Sequence, residues 1–173
     1  MMKTSSPQYR TCFYLLSDRG DFMNYTDLLS EADSLSLITK DEPLRAADGR
    51  IKKNRIAIRK DMPDIQKKCV LAEELGHYHL NVGNILDQTV TSNRKQEHKA
   101  RLWSYDKLIG LNGILSAYKA GCKNIFEIAD HLDVTEEFLK EALSCYRQKY
   151  GICARLNNYI IYFEPTIGVL EIM

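Results

Sequence analysis

The stretch from Pro63 to Leu80 constrains the fold of this chain more than any other. Its opening proline suits the first turn of a helix, where a missing N–H costs nothing. Residues four apart lie on one face of a helix, so the side chains of Glu73 and His77 would point towards one spot, with Glu74 beside them. We therefore predict a long helix that brings two carboxylates and one imidazole together.

Gly76 lies inside this predicted helix, directly before His77. Glycine in a helix interior costs about 1 kcal/mol relative to alanine. Its presence indicates that the helix packs closely against a strand or against the backbone of a substrate. The alternative is that the helix simply tolerates a glycine at this position.

The run Glu73-Glu74-Leu75-Gly76-His77 differs at one position from the pattern His-Glu-x-x-His of zinc peptidases. In that pattern two histidines bind zinc, and the glutamate deprotonates a metal-bound water that attacks a peptide carbonyl. Here a carboxylate replaces the first imidazole, which leaves one imidazole in the motif. Taken alone, the pattern favours a solvated or core-packed helix face over a metal site.

A third protein ligand would have to come from another element, and Glu97 is the best candidate. It shares a helical stripe with Ala100, Ser104 and Leu108, which predicts that it faces inward. A buried carboxylate needs a partner, and either a metal ion or Arg101 one turn later would provide one. Weaker ligand candidates are His79, His98 and Asp87.

The periodicities of the remaining chain indicate an α+β fold, with a small antiparallel sheet packed on the Pro63 to Leu80 helix. Before that helix we predict a helix from about Tyr25 to Ser34, a strand from Leu35 to Thr39 and a hairpin after the Asp48-Gly49 turn. After it we predict four helices and two strands, at Asn93–Ile109, Gly113–Ala120, Asn124–His131, Thr135–Tyr150, Tyr159–Phe163 and Ile167–Ile172.

These elements divide the chain into three parts. Residues 1–22 form an extension without clear periodicity, and Met23 is a candidate for the true start. Residues 23–112 form the domain that carries the motif. Residues 113–173 form a helical region that ends in strands.

Basic residues cluster on the predicted hairpin, at Arg50, Lys52, Lys53, Arg55 and Arg59. Two interpretations are open, a solvated edge that resists aggregation and a phosphate-binding patch. The sequence favours the solvated edge.

The composition excludes several classes of protein. Basic and acidic side chains number 24 and 23, which argues against nucleic acid or an acidic membrane as the main partner, and no stretch is long enough to cross a bilayer. The five cysteines are an odd number and include no Cys-x-x-Cys pair. They predict reduced thiols in a cytoplasmic protein rather than a disulfide framework.

The motif and its surroundings closely resemble the ImmA/IrrE family of metallopeptidase-like proteins from phages and mobile elements. The resemblance covers roughly Met23 to Tyr150. It is carried by the segments Lys68–Tyr78, Gly83–Asp87 and Gln96–Arg101, with support from Asn54–Ile58 and Trp103–Ile109.

This resemblance implies a zincin-like core, one metal ion and, in active members, cleavage of a helix-turn-helix repressor. Carried over to this chain, it makes Glu74 the general base and His77 and Glu97 metal ligands, while Glu73 stands where the first histidine would be. Two carboxylates with one imidazole form a harder and more anionic site, which should weaken the preference for zinc and favour manganese or iron.

Residues Asn124 to Thr135 favour a rival interpretation, because they have the pattern of a helix-turn-helix with Thr135 capping its second helix. A DNA-binding regulator would place the start of that second helix against base edges. Here this start is net acidic, with Glu136, Glu137 and Glu141 against Lys140. DNA binding is therefore disfavoured. The alternative to an enzyme is a non-catalytic protein that docks on the repressor or, less favoured, binds DNA.

Overall fold

The computed structural model of the chain describes residues 22–81 and 90–172. The predicted extension, apart from Phe22, and the candidate ligand Asp87 lie outside these residues. Six helices and six strands are present in the described part. The helices are α1 (Tyr25–Ser34), α2 (Asp64–Asn81), α3 (Val90–Leu108), α4 (Gly110–Lys119), α5 (Ile125–His131) and α6 (Glu136–Tyr150). The strands are β1 (Ile38–Glu42), β2 (Gly49–Lys52), β3 (Arg55–Arg59), β4 (Cys153–Leu156), β5 (Tyr159–Tyr162) and β6 (Gly168–Glu171). The α+β class is thus confirmed. No described helix is long and apolar enough to span a bilayer.

The first sheet has the order β1-β3-β2. Strands β2 and β3 form an antiparallel hairpin, but its turn is Lys53-Asn54, with φ of 57° at Lys53, and not the predicted Asp48-Gly49. Strand β1 joins the other side of β3 in parallel. Strand β1 starts three residues later than predicted, because Leu35 caps α1 and Leu37 donates its N–H back to Ala32. The left-handed backbone at Ser36, with φ of 59°, makes this reversal.

One side of this sheet forms the core with α1 and α2. Ile56 and Ile58 of β3 are fully buried, as are Leu71 and Leu75 of α2. Strand residues point alternately to the two faces of a sheet, so the other face of β1, β2 and β3 carries exposed side chains. The sheet therefore separates α2 from a solvent-facing surface.

The C-terminal region packs α4, α5 and α6 beside the antiparallel sheet β4-β5-β6. The side chains of Asn124 and Thr135 accept hydrogen bonds from backbone N–H groups in the first turns of α5 and α6, as capping residues do. Strand β4 was not predicted, since its four residues place only Ala154 in the core and have no alternating apolar pattern. It pairs along β5, with Ala154 opposite Ile161.

A buried lysine ties α2 to the turn between α5 and α6. Lys68 is 1% exposed, and its Nζ donates to Asp133 Oδ2 at 2.7 Å and to the carbonyl oxygen of Leu132 at 3.4 Å. A buried ammonium requires such partners. This contact anchors the motif helix to the C-terminal region.

Candidate active site

Helices α2 and α3 approach each other closely at Gly76. A Cβ atom on Gly76 would lie 2.5 Å from the carbonyl oxygen of Ala100, a contact that real Cβ atoms almost never show. The close packing expected from this glycine is therefore present, but its partner is helix α3 rather than a strand or a substrate. This approach brings the motif face of α2 opposite the middle of α3.

His77 and Glu97 meet across this interface. The Nε2 atom of His77 lies 3.4 Å from Oε2 of Glu97. Their side chains are 29% and 46% exposed, so the pair is open to solvent and the prediction that Glu97 faces inward is wrong. Two of the three predicted metal ligands are thus neighbours, on helices that are separate in sequence.

Arg101 engages the other oxygen of Glu97. Its Nε lies 2.9 Å from Glu97 Oε1, and its Nη1 lies 3.4 Å from Oε2 of Glu141 on α6. The hydroxyl of Tyr105 donates to the same Glu141 oxygen at 2.8 Å. The sequence anticipated Arg101 as a partner of Glu97 but missed Glu141, because only the packing of α6 on α3 brings that residue here.

Glu73 contributes a third carboxylate to this cluster. Burial raises the pKa of Glu73 to about 7, the positive charge of Arg101 opposes the rise, and the negative charges of Glu141 and Glu97 add to it. These couplings show that Glu73 shares the electrostatic environment of Glu97 and Arg101. Among the described residues, no hydrogen bond or ion pair joins Glu73 to His77 or Glu97, so the three predicted ligands lie in one region without surrounding a common point.

Glu74 lies on the neighbouring side of α2, against strand β2. Burial raises the pKa of Glu74 to about 7, while a hydrogen bond from the backbone N–H of Ile51 opposes the rise. A Cβ atom on Gly49 would lie 2.8 Å from Glu74 Oε1, so glycine leaves room for this carboxylate. The sequence indicated Gly49 only as a turn residue. Its contact with Glu74 is visible only once strand and helix are packed.

The side chains at the α2–α3 interface suit a divalent cation in charge and donor type, because carboxylate oxygens and imidazole nitrogens bind manganese, iron and zinc. Glu73, His77 and Glu97 are the residues that would hold it. Within residues 22–81 and 90–172, however, no three His, Cys, Asp or Glu side chains are already arranged around a common point. Arg101 already engages one oxygen of Glu97 in this arrangement.

The weaker ligand candidates are engaged elsewhere or lie on the surface. His79 Nε2 lies 3.7 Å from Glu31 Oε1, and its ring packs on Trp103 with centroids 4.7 Å apart. His98 is exposed. Among the described residues, neither side chain forms a hydrogen bond or ion pair with His77 or Glu97.

Comparison with protein families identifies the chain. The family model described as the IrrE N-terminal-like domain, Peptidase_M78, matches residues 25–144. This match covers well over half of the chain, which therefore belongs to this family and is a metallopeptidase-family protein. The resemblance seen in the sequence is confirmed. No curated protein and no solved structure gave a significant match.

Proposed function

We propose that this protein is a cytoplasmic, metal-dependent endopeptidase that cleaves a helix-turn-helix transcriptional repressor of a phage or mobile element. The observation that carries the proposal is the position of Glu74. This carboxylate lies next to strand β2 and accepts a hydrogen bond from the backbone N–H of Ile51. It is also adjacent to the face of α2 that carries Glu73 and His77. A general base needs this placement beside both a bound peptide and its attacking water.

The unpaired edge of β2 faces the candidate base. Among the described residues, strand β2 pairs with β3 on one side only, and its Ile51 N–H is directed to Glu74. An extended peptide binds well to such an edge, because the backbone groups of the strand pair with those of the peptide. A scissile bond bound here would lie next to the Glu74 carboxylate.

A divalent ion held by Glu73, His77 and Glu97 would supply Lewis-acid activation of the water and the carbonyl. Zinc is the ion expected for the family resemblance, and manganese or iron suits the two carboxylates better. The chain itself supplies the proton transfers. Glu74 takes a proton from the attacking water and gives it to the amide nitrogen that leaves, while the Ile51 N–H orients its carboxylate.

The competing function is a non-catalytic protein that docks on the repressor. It is favoured by one observation, the engagement of Glu97 by Arg101 at 2.9 Å. DNA binding by the α5–α6 helix-turn-helix-like region has less support. The first turn of α6 carries Glu136 and Glu137, and Glu141 one turn later is directed at Arg101 and Tyr105.

Co-expression with a helix-turn-helix repressor of a phage or mobile element tests the proposal. The wild type should yield two repressor fragments, and Glu74→Gln should leave the repressor intact. Glu137→Gln is a matched control, because it makes the same change on an exposed helix position. If Glu74→Gln still cleaves the repressor, Glu74 is not the general base. If the repressor stays intact and co-purifies with both the wild type and Glu74→Gln, the docking function is favoured.

A further inference from the structure

The solvent-facing side of the first sheet contains a basic groove of about 230 Å³. We call it the outer groove. Its walls are four cationic side chains, and its floor contains apolar ones. The groove is lined by Lys40, Arg50, Lys52, Arg55, Ile38, Ile56 and Ala57, and by one anionic residue, Glu42.

Strand register places these side chains in two rows. In one row Ala57 lies between Lys40 of β1 and Arg50 of β2. In the other row Arg55 lies between Ile38 and Lys52. Adjacent strands are about 4.8 Å apart, so Lys40 and Arg50 flank a channel roughly 10 Å wide at the backbone.

The four cations are exposed, and within the described residues none of them forms an ion pair. Arg59 on the same strand differs, since it pairs with Asp48 at 2.7 Å. Ile38 adds an apolar side chain that is 44% exposed at one end of the groove. A solvated edge explains scattered charges, but it does not explain unpaired cations grouped around an apolar floor.

The extent of the groove distinguishes between anionic partners. At one end the basic surface stops at Glu42 and at the Asp48–Arg59 pair, whose carboxylates would repel a continuing phosphate chain. Nucleic acid binding gains its affinity from many phosphate contacts along a longer path. A short peptide that mixes carboxylates with apolar side chains matches both the limited length and the apolar floor.

Strand β2 joins the outer groove to the candidate active site. Arg50 and Lys52 point into the groove. Gly49 and Ile51, which alternate with them along β2, lie against Glu74 on the other side of the strand. We propose that the outer groove binds an acidic segment of the protein substrate that also carries apolar side chains, while the outer edge of β2 presents another segment to Glu74. This inference rests on the proposed function for the identity of the partner.

Binding can be measured without any cleavage. The probe is a fluorescein-labelled peptide built from repeated Glu-Leu-Glu units, titrated with the full chain in a chelator and followed by fluorescence anisotropy. We expect saturable binding that weakens with salt, and a matched peptide with glutamine in place of glutamate should not bind. Lys40→Glu and Lys52→Glu should each weaken binding by about fivefold or more, as expected for reversing a charge in an exposed pair.

Lys123→Glu is the matched control, because Lys123 is exposed on the segment between α4 and α5 and should leave binding unchanged. Equal binding by wild type, Lys40→Glu and Lys52→Glu would overturn the proposal. Binding of the glutamine peptide as tightly as the glutamate peptide would also overturn it, as would a duplex DNA that competes at lower concentration than the peptide. If the protein binds the peptide but does not cleave the repressor, the proposed peptidase activity is refuted and the outer groove is still supported as a binding site.

Discussion

The α2–α3 interface and the C-terminal core are built from opposite kinds of side chain. Between α2 and α3, half-buried or exposed carboxylates and an imidazole face one another, and their nearest cation is Arg101. In the C-terminal core the fully buried positions are apolar or aromatic, such as Leu132, Leu139 and Ile161.

This difference indicates which region stabilises the fold and which region performs chemistry. Burying apolar surface is favourable, whereas burying carboxylates costs free energy unless they are paired. Burial accordingly raises the pKa values of Glu73 and Glu74. A chain accepts such an interface where it has a function, so we expect mutations in the two regions to affect different properties.

The largest loss of stability is expected from Leu139→Ala. Leu139 is 0% exposed in the C-terminal core, and truncating a buried leucine costs about 2–5 kcal/mol. Urea denaturation should show this loss, while cleavage per folded molecule stays at the wild-type level. Leu170→Ala is the control, since Leu170 is 53% exposed and should cost little. Equal losses in the two variants would contradict the assignment of the core.

The next largest effect is expected at the contact between α2 and the α5–α6 turn. Asp133→Asn removes the counter-charge of buried Lys68, and a hydrogen bond to a charged group is worth about 1.5–3 kcal/mol. Asparagine also tolerates the positive φ of 52° at this position. Lys68→Met should cost less, because Asp133 is 58% exposed and regains water. If Lys68→Met lowered the free energy of unfolding more than Asp133→Asn, the unpaired buried ammonium of Lys68 would not be the main source of the loss.

A smaller loss of stability is expected from Gly76→Ala, together with weaker metal binding at the α2–α3 interface. The added Cβ meets backbone at Ala100, and overpacking costs about 1–3 kcal/mol, offset by about 1 kcal/mol of helix propensity. Gly113→Ala gains the same propensity and meets only the side chain of Leu132 at 3.0 Å. Thermal unfolding and metal binding should both be worse for Gly76→Ala than for Gly113→Ala. If the two variants have the same thermal stability and metal binding, then α2 and α3 can move apart at Gly76 without a cost in free energy.

The smallest effect is expected from Arg101→Gln. Removing the guanidinium frees Glu97 for a metal ion, and exposed ion pairs are worth about 0.2–1 kcal/mol, so calorimetry should show metal binding tightened by up to about fivefold. Lys140→Gln breaks an ion pair of the same spacing with Glu136 and should change nothing. Weaker metal binding by Arg101→Gln would mean that Arg101 orients Glu97 as a ligand.

The sequence predicted what depends on local signals. The helix that carries Glu73, Glu74 and His77, the helix α5 and the Thr135 cap of α6 follow from residues close together in the chain. Features that depend on distant contacts were not predicted. The parallel pairing of β1, the packing of Gly76 on Ala100 and the arrival of Glu141 at Arg101 require the assembled fold.

The site residues show the same limit. Glu97 was chosen from its helical stripe, and the structure places it beside His77. The stripe could not show how far Glu97 would be exposed or that Arg101 would engage it. The basic hairpin was interpreted as a solvated edge, because a sequence cannot show that its cations line a groove with Lys40.

Metal content tests the central claim most directly. The purified protein, loaded with zinc, manganese or iron and desalted, is analysed by mass spectrometry beside His77→Ala and the surface control His98→Ala. The account predicts close to one equivalent of at least one metal in the wild type and in His98→Ala, and almost none in His77→Ala. Equal metal in all three proteins, or none in any of them, would show that His77 and its neighbouring carboxylates are not a metal centre.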